Sequence, residues 1–399
     1  MKNFNLLYDS TVDGQMELIK NTMSTYKVEN TKLIDINGFV ANQDENYFHF
    51  VITGQYTQPY VVTFGVLPIP DKIKELVRKY PNVYVGLLAE HESDDEHVIT
   101  TIEECCVREN LNPEQLIVIN GNQKIKTLID KSNSKIRCHT TNRLQYVAVE
   151  GMNTFEYQFR PDKESFFMCY NRMIKPHRIG LLVLLKREGI LDEIDWSLLR
   201  ANEIKSNFTN EDGSISFNLL YGIFDRDDFN EYKNEVTYFY GLDSKKSKFE
   251  SGYKIDEPPY FIDFYKSYEM NPYGYSYINI VTETNYNSTD IIHITEKSLI
   301  PFYYSQIPLI LGNYEHNKFI KNRYNLDLFE DIIDYSYDME MDPKKRLFMF
   351  VEEIKRLRNK KDEIIDFYKN NEKRFKENKN KILGILKEKV DYDFFKSLI

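Results

Sequence analysis

Three stretches of the chain put chemically capable side chains at spacings that could serve one ligand. In HITEK, residues 293–297, a threonine suited to cap a helix is followed at once by Glu296 and Lys297. The first turn of a helix offers unbonded backbone N–H groups and the positive end of the peptide dipoles, so an anion is favoured there. Lys297 adds charge for a phosphate, and Glu296 can accept hydrogen bonds from a ribose diol. An ordinary capping pattern beside an exposed lysine is the plainer reading of the same residues. The second stretch, CYNRMIKPHRIGLLVLL, sets Asn171, Arg172, Lys175, His177 and Arg178 after a strand and around a helix opened by Pro176. A doubly wound sheet receives phosphates at such a place. Taken singly each residue reads as well as a surface loop position, whereas several cations together point to a phosphate.

The third stretch, NVYVGLLAEHESDDEH, carries Glu90, His91 and Glu92 directly after an apolar strand. A carboxylate at such a strand end can be desolvated and its pKa raised towards general-base work. A solvated acidic loop running on through Asp94, Asp95 and Glu96 is the competing reading. Asp225-Arg226-Asp227 has the Asp-x-Asp form that holds a divalent metal in some nucleotide-sugar enzymes, but the tripeptide is common and lies in a loop-rich region, so it is read as incidental. No H-E-x-x-H, G-x-G-x-x-G, P-loop or G-x-S-x-G occurs, which removes the simplest zinc, dinucleotide, NTPase and hydrolase readings.

The elements that must position these residues follow from the hydrophobic pattern. FHFVITG, YVVTFGVL, NVYVGLLAE, EQLIVING and LQYVAVEG read as apolar, β-rich runs, with polar helical runs such as DKIKELVRKY between them, which predicts a parallel sheet covered on both faces. A second alternation begins near Ser165: SFFMCY as strand, KPHRIGLLVLLKREGIL as helix, IDWSLL as strand, then YSYINIVTE, TEKSLIPFYYSQ and IPLILGN as strand, helix and strand. The expected fold class is therefore α/β, with two Rossmann-like domains facing each other and C-terminal helices. The expected bounds are 1–155, 156–345 and, for the helices packing back on the domains, 346–399. Leu347, Val351, Ile354, Leu357, Ile364, Ile365 and Tyr368 recur at helical spacing in the last part.

The chain has 399 residues, 42% hydrophobic and 14% aromatic, enough for two sizeable cores. Its richness in Lys, Asn, Ile and Tyr is what an AT-rich phage or bacterial genome encodes. Net charge is −10, which argues against a protein whose main task is coating nucleic acid. Between residues 343 and 389, however, 16 Lys/Arg stand against 8 Asp/Glu, so a local polyanion contact stays open beside the plainer reading of a solvated helical face. The four cysteines include no C-x-x-C and read as free thiols. The first residues lack the apolar core of a signal peptide, and the longest apolar run, residues 179–185, is too short to span a bilayer, so a cytoplasmic location is expected.

YSYINIVTETNYNSTDIIHITEKSLIPFYYSQIPLILGN resembles the donor-binding segment of the fucosyltransferase-like GT-B glycosyltransferases, which include bacterial and phage enzymes. In that family a strand ending in Phe-Glu-Asn leads to Thr-Glu-Lys, a helix, and a strand reading Val-Pro-Val-x-x-Gly. The counterparts are Glu283 and Asn285, then Thr295-Glu296-Lys297, then residues 307–312. Thr284 interrupts the Glu-Asn pair, and His293 stands where the family has tyrosine. The resemblance, with the cluster after the first strand, covers roughly residues 165–340 of this sequence. It implies that Glu296 holds the ribose hydroxyls and Lys297 a donor phosphate, that Arg172 or Arg178 binds the pyrophosphate, and that Asn171, His177, Glu283, Asn285, His293 and Thr295 surround the donor. It further implies a glutamate base in the N-terminal domain, with Glu92 the nearest match and Glu90 second.

The reaction so implied is direct inversion from a nucleotide-sugar to an acceptor hydroxyl, with cations neutralising the departing diphosphate so that neither a metal nor another cofactor is required. The acceptor is a glycan or glycoconjugate, or else hydroxymethylated bases in DNA reached as flipped nucleotides. A non-catalytic nucleotide- or sugar-binding protein and a metal-dependent transferase using Asp225 and Asp227 are the rival readings.

Overall fold

A computed structural model of the chain describes residues 4–11, 31–52, 67–89, 96–153, 157–171, 173–198, 201–242, 272–387, 394 and 397. They fall into two compact units. The first comprises Met1–Val147, Asp290–Ile294 and Leu386–Ile399, and the second Ala148–Thr289 and Thr295–Ile385. Each is an α/β unit built on a wholly parallel sheet, the Rossmann-like class expected from the apolar runs.

In the first unit β1 (Phe4–Tyr8), β2 (Thr31–Asp35), β3 (Tyr47–Ile52), β4 (Val83–Ala89), β5 (Leu116–Asn120) and β6 (Arg137–Thr140) lie in the order β2-β1-β3-β4-β5-β6. Helices α1 (Asp71–Lys79), α2 (Glu96–Arg108) and α3 (Ile125–Ser132) connect successive strands, and α4 (Arg143–Asn153) follows β6. Leu7, Val85, Leu87 and Val118 of the strands bury against Ile73, Val77, Ile99 and Ile102 of α1 and α2. This is the near-continuous apolar strand character of a sheet with covered faces. The run LQYVAVEG is helical, within α4, and not the strand expected from its Val and Tyr. Gln145, Ala148, Val149 and Met152 are all buried at helical spacing, and that packing outweighs local β-propensity. The strip of residues 290–294 is fastened to the β5–α3 turn: Ile292 N donates to Asn122 Oδ1 at 3.1 Å, and Gln123 N donates to Ile292 O at 2.8 Å.

The second unit holds β7 (Ser165–Asn171), α5 (Pro176–Arg187), β8 (Ile194–Leu198), α6 (Asn202–Asn207), α7 (Arg226–Glu231), α8 (Lys233–Tyr240), β9 (Ser276–Thr282), α9 (Glu296–Tyr303), β10 (Ile307–Leu311) and α10 (His316–Tyr324). It closes with α11 (Pro343–Asn359), α12 (Lys361–Asn370) and α13 (Glu372–Gly384). Its strand order is β10-β9-β7-β8. All of residues 179–185 in α5 are buried, because this helix is enclosed between the sheet and α8 and α11. The outer edge of β10 is closed by side chains. Tyr335 Oη donates to Pro308 O at 2.6 Å, while Tyr337 Oη and Asn317 Nδ2 donate to Ile310 O at 3.2 and 2.9 Å.

Leu347, Phe350, Val351, Ile354, Leu357, Ile364, Tyr368 and Phe375 join α11–α13 to the core of this unit. Their basic residues are largely paired with it or with each other. Lys344 meets Asp225 and Asp228, Lys355 meets Glu188, Arg358 meets Glu193, Lys369 meets Asp162, and Arg374 clamps Asp327 and Asp331. Among the described residues no helix is long and apolar enough to cross a membrane.

Candidate functional site

In an open parallel sheet, ligands bind beyond the carboxyl ends of the strands where the strand order reverses. In the second unit that point lies between β7 and β9, since β8 adds on one side of β7 and β9 on the other. Asn171 ends β7 and Thr282 ends β9, and Thr282 Oγ1 donates to Asn171 Oδ1 at 2.6 Å. The helices following these two strands, α5 and α9, both begin here.

The start of α5 is open to an anion. Lys175 is its N-cap in an extended conformation, Pro176 is its first residue, and among the described residues no side chain caps it. The Arg178 guanidinium, 3% exposed, lies across the ends of the neighbouring segments. Nη1 donates to Met173 O at 3.1 Å, and Nη2 donates to Thr282 O and Glu283 O at 3.2 and 3.3 Å. Its Nε is buried with no hydrogen-bond partner among the described residues, an expensive state for a polar atom. The Lys175 amine is half-buried, and burial first, then the charges of Arg178 and Lys297, lower its pKa. Like-charge repulsion of this kind at one strand edge is relieved by a bound anion. His177 Nε2 bonds Glu283 O at 2.8 Å. Burial and the nearby Arg178 push its pKa down to about 3, so the ring is neutral and fills its place as a structural support.

The start of α9 is furnished differently. Thr295 caps the helix by accepting from Lys297 N at 3.3 Å. The Glu283 carboxylate, 1% exposed, accepts from Thr295 N at 3.2 Å, Thr295 Oγ1 at 2.7 Å, Thr284 N at 3.1 Å and Ser298 Oγ. Four donors saturate a carboxylate. His316 Nε2 lies 2.9 Å from Ser298 Oγ; since that hydroxyl donates to Glu283, the imidazole is the donor to Ser298. The ring gets this close because residue 312 is glycine: a Cβ there would fall 2.6 Å from His316 Cγ. Burial alone would raise the Glu283 pKa, but His316, Lys297 and the Ser298 and Thr295 hydroxyls bring it down to about 2. A buried anion thus already stands behind the first turn of α9.

Of the residues expected to meet a donor, the structure brings together Asn171, His177, Arg178, Glu283, Thr295, Glu296 and Lys297. Glu296 and Lys297 are half-buried and form an ion pair at 2.5 Å. Asn285 is half-buried in the loop after β9. His293 is buried in the strip that clusters with the first unit. Arg172, Glu90, His91 and Glu92 lie outside the described residues. Asp225 and Asp227 do not form a metal pair. Asp225 Oδ1 caps α7 by accepting from Asp227 N and Asp228 N, each at 2.9 Å, and its other oxygen takes Lys344. Among the described residues no group of three His, Cys, Asp or Glu is placed to hold a metal. Sequence reasoning missed the reach of Ser298 and His316 into Glu283. The signal was present as Gly312 four residues before a histidine, but it has meaning only once β9, α9 and β10 are stacked.

No protein-family model matches the chain, and no curated protein matches it significantly. Among solved structures, the chain is similar to a crystal structure of the DNA-modifying enzyme β-glucosyltransferase, studied in the presence and absence of its substrate uridine diphosphoglucose. The match covers 100% of this chain and 99% of that one, with 13% identity and a TM-score of 0.38. At that distance the likeness carries neither an activity nor a residue across.

Proposed function

We propose that this chain is a GT-B-type glycosyltransferase that takes a nucleotide-sugar at the carboxyl edge of β7 and β9 and transfers the sugar to an acceptor hydroxyl with inversion. The observation that carries the reading is the uncapped start of α5 with the unsatisfied Nε of Arg178 beside Lys175 at the strand-order reversal. A diphosphate there gains the positive end of a helix and neighbouring cations together. Glu296 on the first turn of α9 is the group for a ribose diol, and Lys297 adds charge to the diphosphate. Glu283 and Thr295 act behind them, holding α9 in place.

In the transfer itself, a carboxylate base, Glu92 or Glu90, takes the proton of the acceptor hydroxyl as its oxygen attacks the anomeric carbon. The bond from that carbon to the diphosphate breaks, and Arg178, Lys175 and Lys297 stabilise the charge that develops on the leaving group.

The test is a thermal-shift screen of the full chain against UDP, GDP, CMP and their sugars, followed by an assay for slow donor hydrolysis. A ligand bound only by the native state raises the melting temperature by mass action. A shift with no hydrolysis would support the binding-protein reading instead, and no shift with any nucleotide would overturn the assignment. Acceptor class is decided by supplying glycans or hydroxymethylated duplex DNA to the same assay.

A further inference from the structure

Arg346 lies on α11, far in sequence from every residue of the candidate site, and is 1% exposed. Its Nη2 donates to Tyr286 O at 2.7 Å and its Nη1 to Glu340 O at 2.9 Å, while Nε has no hydrogen-bond partner among the described residues. Among the described residues no carboxylate forms an ion pair with it. A buried guanidinium held by backbone carbonyls without an ion-paired carboxylate is costly and is not what packing alone would select. It also meets an aromatic ring, the guanidinium carbon lying 4.8 Å from the centre of the Tyr286 ring.

Tyr286 belongs to the loop that leaves β9 through Glu283. The Tyr286 ring also stacks on His177, with centroids 5.0 Å apart and planes 23° apart. His177 in turn bonds Glu283 O, the carbonyl that Arg178 also holds. The Tyr286 hydroxyl donates to Pro343 O at the start of α11. The contacts therefore run without a gap from Arg346 through Tyr286 and His177 to the ends of β9 and α5.

We infer that Arg346 is a positioning residue for the nucleotide-diphosphate site: by gripping the backbone and ring of Tyr286 from α11, it sets the loop against which His177 and Arg178 are aligned. This rests on the proposed nucleotide-sugar site, and the experiment separates failure of one from failure of the other.

Wild type, Arg346→Lys and Arg374→Lys are compared by calorimetric titration with UDP, GDP and CMP, well below their melting temperatures. Lysine keeps the charge but cannot reach both carbonyls and stack on the ring. Arg374 is the control, since it sits 5.0 Å over Phe329 and clamps two aspartates away from the site. The expected result is that both variants melt earlier, while only Arg346→Lys binds its nucleotide about tenfold more weakly, the size of one charge-assisted contact between the realigned Arg178 and the diphosphate. Arg346→Lys binding as tightly as wild type overturns the inference and leaves the site standing. A wild type that binds none of the three overturns both. Should Arg346→Lys fail to fold, Tyr286→Leu breaks the same chain of contacts and must show the same weakening.

Discussion

Thr282 Oγ1 and Asn171 Oδ1 meet at 2.6 Å and join the carboxyl ends of β9 and β7, where the second sheet reverses its strand order. Both residues are buried, so Asn171→Ala leaves the Thr282 hydroxyl without this acceptor. The expected loss is about 1–3 kcal/mol of stability, read as a lower midpoint in urea unfolding. An unchanged midpoint would show that the bond ties nothing.

Arg178→Lys cannot reproduce bonds to three carbonyls while keeping an Nε for the ligand. Nucleotide affinity should fall roughly tenfold or more, since a hydrogen bond to a charged group is at stake. Lys175→Ala should weaken binding and flatten its salt dependence. Lys297→Ala should do less, because Glu296 already neutralises part of its charge. Titration calorimetry at two ionic strengths gives the order, and a larger effect at Lys297 than at Arg178 would relocate the phosphate to α9.

The Glu283 carboxyl has a folded pKa of about 2, below its ordinary 4.5. Its contribution to stability is therefore complete above about pH 4.5 and is lost as pH falls through the folded value. Glu283→Gln should remove that part of the acid limb and, by putting an amide donor among donors, destabilise the protein at neutral pH as well. A variant whose unfolding midpoint follows the wild-type acid limb between pH 4.5 and 2 would exclude this role.

Lys163 has the same sign in a higher pH range. Its Nζ donates to Tyr157 Oη at 2.8 Å and Gly274 O at 2.9 Å, with the Tyr157 and Tyr368 rings 5.4 and 5.3 Å away. Burial, then the charge of Arg160, lowers its pKa from 10.5 to about 7. Between those values the unfolded chain binds the extra proton, so this residue's contribution to stability rises with pH. Comparing melting temperatures from pH 7 to 10, the wild type should gain relative to Lys163→Met; parallel curves would disprove it.

Glu92→Gln should leave nucleotide binding intact and depress turnover by about 10²-fold or more, the usual size of a general-base contribution. Single-turnover kinetics with the donor found in the screen provides the check. Full activity would move the base to Glu90 or elsewhere.

Much of the architecture was legible because parallel strands buried on both faces announce themselves as apolar runs: FFMCY, INIVT and IPLIL each fall within β7, β9 or β10. Pro176 and Thr295 marked the starts of α5 and α9 through local backbone chemistry. What stayed hidden depends on contacts distant in sequence. The strand β2 is half-exposed at a sheet edge and carries little apolar signal. The helical state of α4 is decided by what Tyr146 and Val149 pack against. Two site details were out of reach for the same reason: which helix start remains open to an anion, and that Glu283 is already saturated, since both depend on where Ser298, His316 and the carbonyls of residues 282 and 283 come to lie.

The treatment of β10 has a practical corollary. Pro308 has no N–H to offer, and the outward carbonyls of residues 308 and 310 are stoppered by Tyr335, Tyr337 and Asn317. The β10 rim of the second sheet thus offers a neighbouring molecule few free acceptors to zip onto, so concentrated solutions should resist strand-to-strand clumping at this margin. Replacing Tyr335 with phenylalanine would remove the side-chain donor to the Pro308 oxygen and invite it, whereas Asn317 would still hold the oxygen of residue 310.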